Sequence, residues 1–168
     1  MPSLVDTVAN EFREEAKTTG RVLQNVPSAK LTWRPHATSM TLGQLALHIA
    51  TVPGNLVKIL QKDEHEISPK AFTFQDPQSV EEIHSTFQQS VRDADAYLSG
   101  MSEEQAKADW TLKGNGKTIF TKPRIGVVRM IMMNHIYHHR GQLSVYLRMV
   151  GAPVPSIYGP SADENPFG

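Results

Sequence analysis

Apolar residues recur at three- and four-residue steps in four stretches of the chain, the periodicity of amphipathic helices. Ser3 to Val26 carries Val5, Val8, Phe12, Ala16, Thr19, Leu23 and Val26 on one face, with Glu11, Glu14, Glu15 and Lys17 on the other. Ser3 and Asp6 both suit the cap of this helix. Thr41 opens the second stretch, TLGQLALHIATVPGNLVKILQK, with Gln44 at the capping-box position. Its broad face is Leu42, Leu45, Ile49, Val52, Leu56, Ile59 and Leu60. Pro53 and Gly54 interrupt it and predict a kink or break after the turn that holds His48, because proline cannot bond the carbonyl of Ile49. Pro77 to Leu98 is the third helix, with Val80, Ile83, Phe87, Val91, Ala94 and Leu98 as its stripe. The fourth starts at Pro123, a residue tolerated in a first turn, and runs to Val150, before Gly151 and Pro153.

Between these stretches the pattern changes. WTLKGNGKTIF alternates on either side of a Gly/Asn turn and predicts a small β-hairpin. Its glycines do not form the phosphate-binding pattern GxxxxGK[ST]. Pro27 to Met40 is a connector whose Trp33 fits a plug at the bundle end. Asp63 to Asp76 is a polar connector; its His65, among Asp63, Glu64 and Glu66, reads as part of a solvated charge cluster, with metal binding as the lesser alternative. His36 reads as an exposed loop residue and His84 as surface. The expected architecture is all-α: one domain over 1–168, a four-helix bundle with a hairpin before the last helix and an irregular tail over 150–168.

The fourth helix contains the anomaly. Its stripe is Val128, Ile131, Met132, Leu143, Tyr146 and Val150, and His135 and His139 fall on it where a core would place Leu or Ile. Four residues turn a helix by about 400°, so the two rings project one above the other. One histidine there is best read as a satisfied core residue. Two each need a buried partner, which raises the alternative of a metal. His138, roughly 60° from His135, competes with His139 by spacing alone. If helices two and four are neighbours, His48 joins them. Three imidazoles suit zinc, nickel or iron(II), and three protein ligands leave a position for water or substrate, the pattern of catalytic sites. Gln142, about one turn from His139, is a candidate outer-shell or substrate contact. Arg140 reads as a surface or interhelix salt-bridge residue, with an anionic substrate group as the alternative partner.

Composition narrows the chemistry. The 168 residues carry a formal net charge of zero, so bulk charge favours neither nucleic acid nor an anionic membrane. No cysteine is present, so any metal must be held by histidine and carboxylate. The N-terminus lacks the pattern of a signal peptide, and there is no run of about 18 apolar residues. The expectation is a cytoplasmic, soluble protein. No carboxylate lies near the histidines on either helix, so a two-His, one-carboxylate site would need Asp163 or Glu164 from the tail, which also contains Tyr158. Met130, Met133, Ile136 and Tyr137 lie off the histidine stripe, so helix four is apolar on more than one face and predicts a homodimer.

TLGQLALHIA followed by NHIYHHRGQL resembles the DinB/YfiT-like family, and WRP, the GNGK hairpin and the GPSADENP tail extend the resemblance along the whole chain. The resemblance implies an up-down-down-up four-helix bundle, often dimeric, with a metal held by His48, His135 and His139. The histidine before Arg-Gly-Gln is the third ligand, which selects His139 over His138. It further implies zinc or nickel, and metal-dependent hydrolases or enzymes that use low-molecular-weight thiols. The expected function is therefore a metal-dependent hydrolase or thiol S-transferase acting on small molecules. The alternative is a metal-binding stress protein without turnover.

Overall fold

The computed structural model describes residues 2–68 and 73–168. Four long helical segments dominate: α1 (Leu4–Gln24), α2 (Leu42–Ile59), α3 (Val80–Ser99) and a last segment from Arg124 to Met149. That segment comprises α5 (Arg124–Val127), a π-helical stretch (Val128–Met133) and α6 (Asn134–Met149). The principal packings close a ring: α1 lies against α3 and α6, and α2 lies against α3 and α6. Helices two and four are therefore neighbours. A short helix, α4 (Glu103–Lys107), links α3 to a small sheet of β1 (Glu64–Glu66), β2 (Asp109–Gly114) and β3 (Lys117–Pro123). No helix among the described residues is long and apolar enough to cross a membrane.

The helix starts follow their side chains. At α1, Ser3 is the cap and Asp6 completes the reciprocal pair; Thr41 and Gln44 do the same for α2. The hairpin turns at Asn115 and Gly116, which both have positive φ (52° and 72°), as a primed two-residue turn demands. Trp33 packs edge-on against Tyr146 of α6, 5.6 Å between ring centres, at the end of the bundle.

Of the kink or break expected at Pro53, the break does not occur. Helix α2 continues through Pro53 to Ile59, with Pro53 and Gly54 both buried. Packing against α3 supplies the reason: a Cβ on Gly54 would lie 2.8 Å from Ser90 Oγ and 3.2 Å from Ser90 Cα. The lost hydrogen bond is tolerated because the helix is clamped along its length, and Gly54 permits that close approach. Gly54→Val should therefore cost about 1–3 kcal/mol, read as a lower urea midpoint.

Three further expectations change. The hairpin is joined by β1, which pairs in parallel with β2 and takes Glu64–Glu66 out of the expected polar connector. The connector's Pro69 to Phe72 lies outside the described residues. Of the four apolar residues off the histidine stripe, Met133 and Ile136 are core residues, Met130 is half-buried, and the Tyr137 hydroxyl donates to Glu11 Oε1 at 3.1 Å. The large exposed apolar side chains of α6 are Val145 and Met149. His84 is half-buried against the carbonyl of Leu23 at 3.2 Å rather than free at the surface.

Candidate metal centre

His48 comes from the middle of α2, and His135 and His139 from successive turns of α6. Because the two helices touch, the three rings meet. Nε2 of His48 and Nε2 of His135 are 2.8 Å apart. One ligand nitrogen from each of the three residues lies within 4.8 Å of those of the others. Edges of a tetrahedral zinc site with nitrogen ligands are about 3.3 Å, inside that range. The donor set is three imidazoles with no carboxylate. Of the described residues, these three form the cluster with metal-ligand chemistry. The residues present fit a divalent ion.

Two features prepare the rings. Oε1 of Gln142 accepts from Nδ1–H of His139 at 2.6 Å. An amide oxygen can only accept, so the proton sits on Nδ1 and the Nε2 lone pair is free. Gln142 thus orients a ring as an outer partner of a metal ligand does. Burial also keeps the rings neutral. His48 is pulled down to about 4 by burial first and then by the charges of His139 and His135. His135 falls to about 4 by burial and the neighbouring His139 and His138. His139 is lowered by burial, against the opposing pull of Gln142. A metal needs the unprotonated ring.

The π-helical stretch precedes His135 by one residue. There the N–H of Asn134 bonds the carbonyl of Arg129, five residues back, and the wider turn resets the helix face just before the ligand pair.

A cavity of about 570 Å³ opens beside His48 and His135. Leu47, Val52, Leu56, Ile59 and Ile131 give it apolar walls, and Gln44, Thr51, Asn55, Thr73 and Gln75 add uncharged polar groups. Phe74 sits at the rim, edge-on to His48 with 5.3 Å between ring centres. His65 lines the same cavity. Neither Phe74 nor His65 was legible as a site residue, since both lie in a polar, aperiodic connector. His138 is exposed beside His139 and outside the cluster, and His36 is exposed, paired with Thr38.

Arg140 is not a surface residue. It is 1% exposed and points away from the cavity, toward α1. Its guanidinium pairs with Glu15 Oε2 at 2.7 Å and donates to Thr19 Oγ1 at 3.1 Å and to the Tyr158 hydroxyl at 2.6 Å. The interhelix salt bridge is thus the observed role, and the guanidinium is committed to α1 and the tail rather than to the cavity. The tail folds back with its carboxylates engaged elsewhere. Asp163 takes Arg148 at 2.5 Å and the N–H of Val154; Glu164 takes Arg21 and the N–H of Ser156. Neither joins the histidines.

A helical bundle that gathers three histidines from two adjacent helices beside an open cavity is the architecture defined here. A sequence model of the DinB family matches residues 1–165, and the chain belongs to that family. An uncharacterized protein of Bacillus subtilis, YrdA, is 27% identical over 163 residues, covering 95% of this chain and 91% of its own length. A DinB-like protein from Bacillus cereus superposes with a TM-score of 0.70 at 21% identity, over 90% of this chain and 95% of that one. The B. subtilis DinB-like protein YjoA gives 0.66 at 20%, over 86% and 92%. These two structures support the shared fold.

Proposed function

We propose that His48, His135 and His139 hold a divalent metal, zinc or nickel in preference to iron, and that the protein is a metal-dependent enzyme acting on small molecules. The observation that carries this reading is the convergence of three neutral imidazoles, two of which, His48 and His135, line a cavity of about 570 Å³. That size suits a small-molecule substrate. When bound, the ion supplies Lewis acidity to a carbonyl or a thiol. The chain supplies the rest. Gln142 holds the ring of His139 with its Nε2 lone pair available, and burial keeps His48 and His135 unprotonated. The apolar residues offer a binding surface, and the neutral polar groups orient a ligand. Hydrolysis and transfer of a low-molecular-weight thiol both fit this equipment.

A site built only to sequester metal has no use for a ligand-sized cavity, which argues for turnover. The test is metal analysis of the purified protein, then a hydrolase and thiol-transfer screen of the wild type against His139→Ala. We expect about one equivalent of metal, lost in the variant together with activity. Stoichiometric metal with no turnover across both screens would favour sequestration. No metal at all would overturn the reading.

A further inference from the structure

The cavity is long rather than round, and one side of it is α2 itself. Its helical lining runs from Gln44 to Ile59. At 1.5 Å per residue, the part beyond His48 extends about 16 Å. Beyond α2 the lining includes His65 of β1 and Thr73, Phe74 and Gln75, with Phe74 edge-on to His48. The metal-ligating rings and the last α2 residue of the lining therefore lie far apart in one channel.

β1 aims a single side chain into that channel. Its backbone is fixed against β2, with His65 opposite Leu112, the N–H of Thr111 on the carbonyl of Asp63 and the N–H of Ile67 on that of Lys113. Side chains alternate along a strand. Glu64 is held outside by Lys113 at 2.6 Å, and Glu66 accepts from the N–H of Gly116 at 3.0 Å. His65 is left facing inward and is half-buried. The described lining holds no carboxylate, lysine or arginine. Beyond His48 its apolar side chains are Val52, Leu56, Ile59 and Ile131, with Asn55 among them.

We propose that the cavity takes an elongated, largely uncharged substrate: a metal-binding head at His48, His135 and His139, an apolar body along α2, and a hydrogen-bond-accepting tail read by His65. This rests on the metal reading above and adds the shape and polarity of what is bound.

The test uses the zinc-loaded full chain and three hydroxamates measured by calorimetry. Acetohydroxamate carries the head alone, octanohydroxamate adds the body, and the monoamide of suberic monohydroxamate adds the tail. The body should tighten binding by about 10-fold or more. The tail should add a further gain that vanishes in His65→Ala and is partly kept in His65→Gln, while acetohydroxamate affinity and zinc content stay unchanged in both variants. No gain from the body, or a tail gain that survives in His65→Ala, overturns the proposal. A protein that takes up no zinc sinks the metal reading instead. Suberamide, which needs no metal, then still reports on the channel: binding that depends on His65 supports the tail site, and no binding overturns it.

Discussion

Stripping metal with a chelator should lower the melting temperature of this protein by about 10 °C. A ligand that binds only the folded state, at a free concentration about 1,000 times its dissociation constant, contributes about 4 kcal/mol, and each kcal/mol is worth about 2–4 °C in a chain of this size. His135→Ala should melt like the stripped wild type and ignore added zinc. Gln142→Ala keeps the three donors but loses the bond that fixes His139, so zinc affinity should fall by about 10- to 100-fold. Unchanged melting after chelation would sink the metal centre. The metal-free protein should also show a pH signature. Because the folded-state values of His48 and His135 are lowered from 6.5 to about 4, the unfolded chain binds protons first as pH falls. Stability is thus complete above pH 6.5 and declines as pH drops toward 4. A fully shielded ring shifted that far would account for about 3 kcal/mol; half-exposed rings sharing one cluster retain on the order of 1–2 kcal/mol for the set. Asp163 and Glu164, whose carboxyls are held below their usual range by backbone and arginine partners, act only at lower pH. Urea unfolding of the metal-free protein at pH 7.5 and 5.0 isolates the imidazoles, and a variant with His48→Leu and His135→Leu should lose the difference.

What was readable in the sequence is what local periodicity controls. Helices α1, α2 and α3 announce themselves by apolar spacing and by Ser3 and Thr41, since amphipathicity and capping act within a few residues. His135 and His139 were visible for the same reason: a helix turn fixes their relation. His48 required a statement about which helices touch, which no local pattern contains, and the family resemblance provided it. Pro53 misled because propensity describes an isolated helix, whereas the contact of Gly54 with Ser90 is made between helices. β1 was hidden because a three-residue strand rich in Glu has no apolar alternation; its existence depends on backbone bonds to β2. For Arg140 the sequence left surface and interhelix salt bridge both open, and the structure selects the salt bridge, because its partners Glu15 and Tyr158 lie 125 and 18 positions away in sequence. Long-range pairing decided each of these outcomes.

Arg140→Met should be among the most destabilising substitutions in the chain, although it leaves the histidines untouched. The guanidinium is fully buried, and the carboxylate it neutralises, Glu15, is largely so, with 18% of its side chain exposed. Around the pair, the Tyr158 hydroxyl donates to Glu15 Oε2 at 2.9 Å and accepts from Arg140, whose guanidinium also lies over the rings of Tyr137 and Tyr158. Methionine fills much of the volume but leaves Glu15 charged and without its cation. Breaking one side of such a pair costs about 3–5 kcal/mol, far more than the pair is worth when both sides are replaced together. The single variant should therefore lose about 10 °C, and adding Glu15→Gln should restore a large part of that loss. Tyr158→Phe removes one hydroxyl and should cost about 1 kcal/mol while loosening the tail, seen as faster proteolysis after residue 150. Zinc content per folded molecule should stay at the wild-type value in all three, because the network faces α1 and contains none of the three ligand rings. An Arg140→Met protein that melts normally would show that the buried charges do not hold α1, α6 and the tail together.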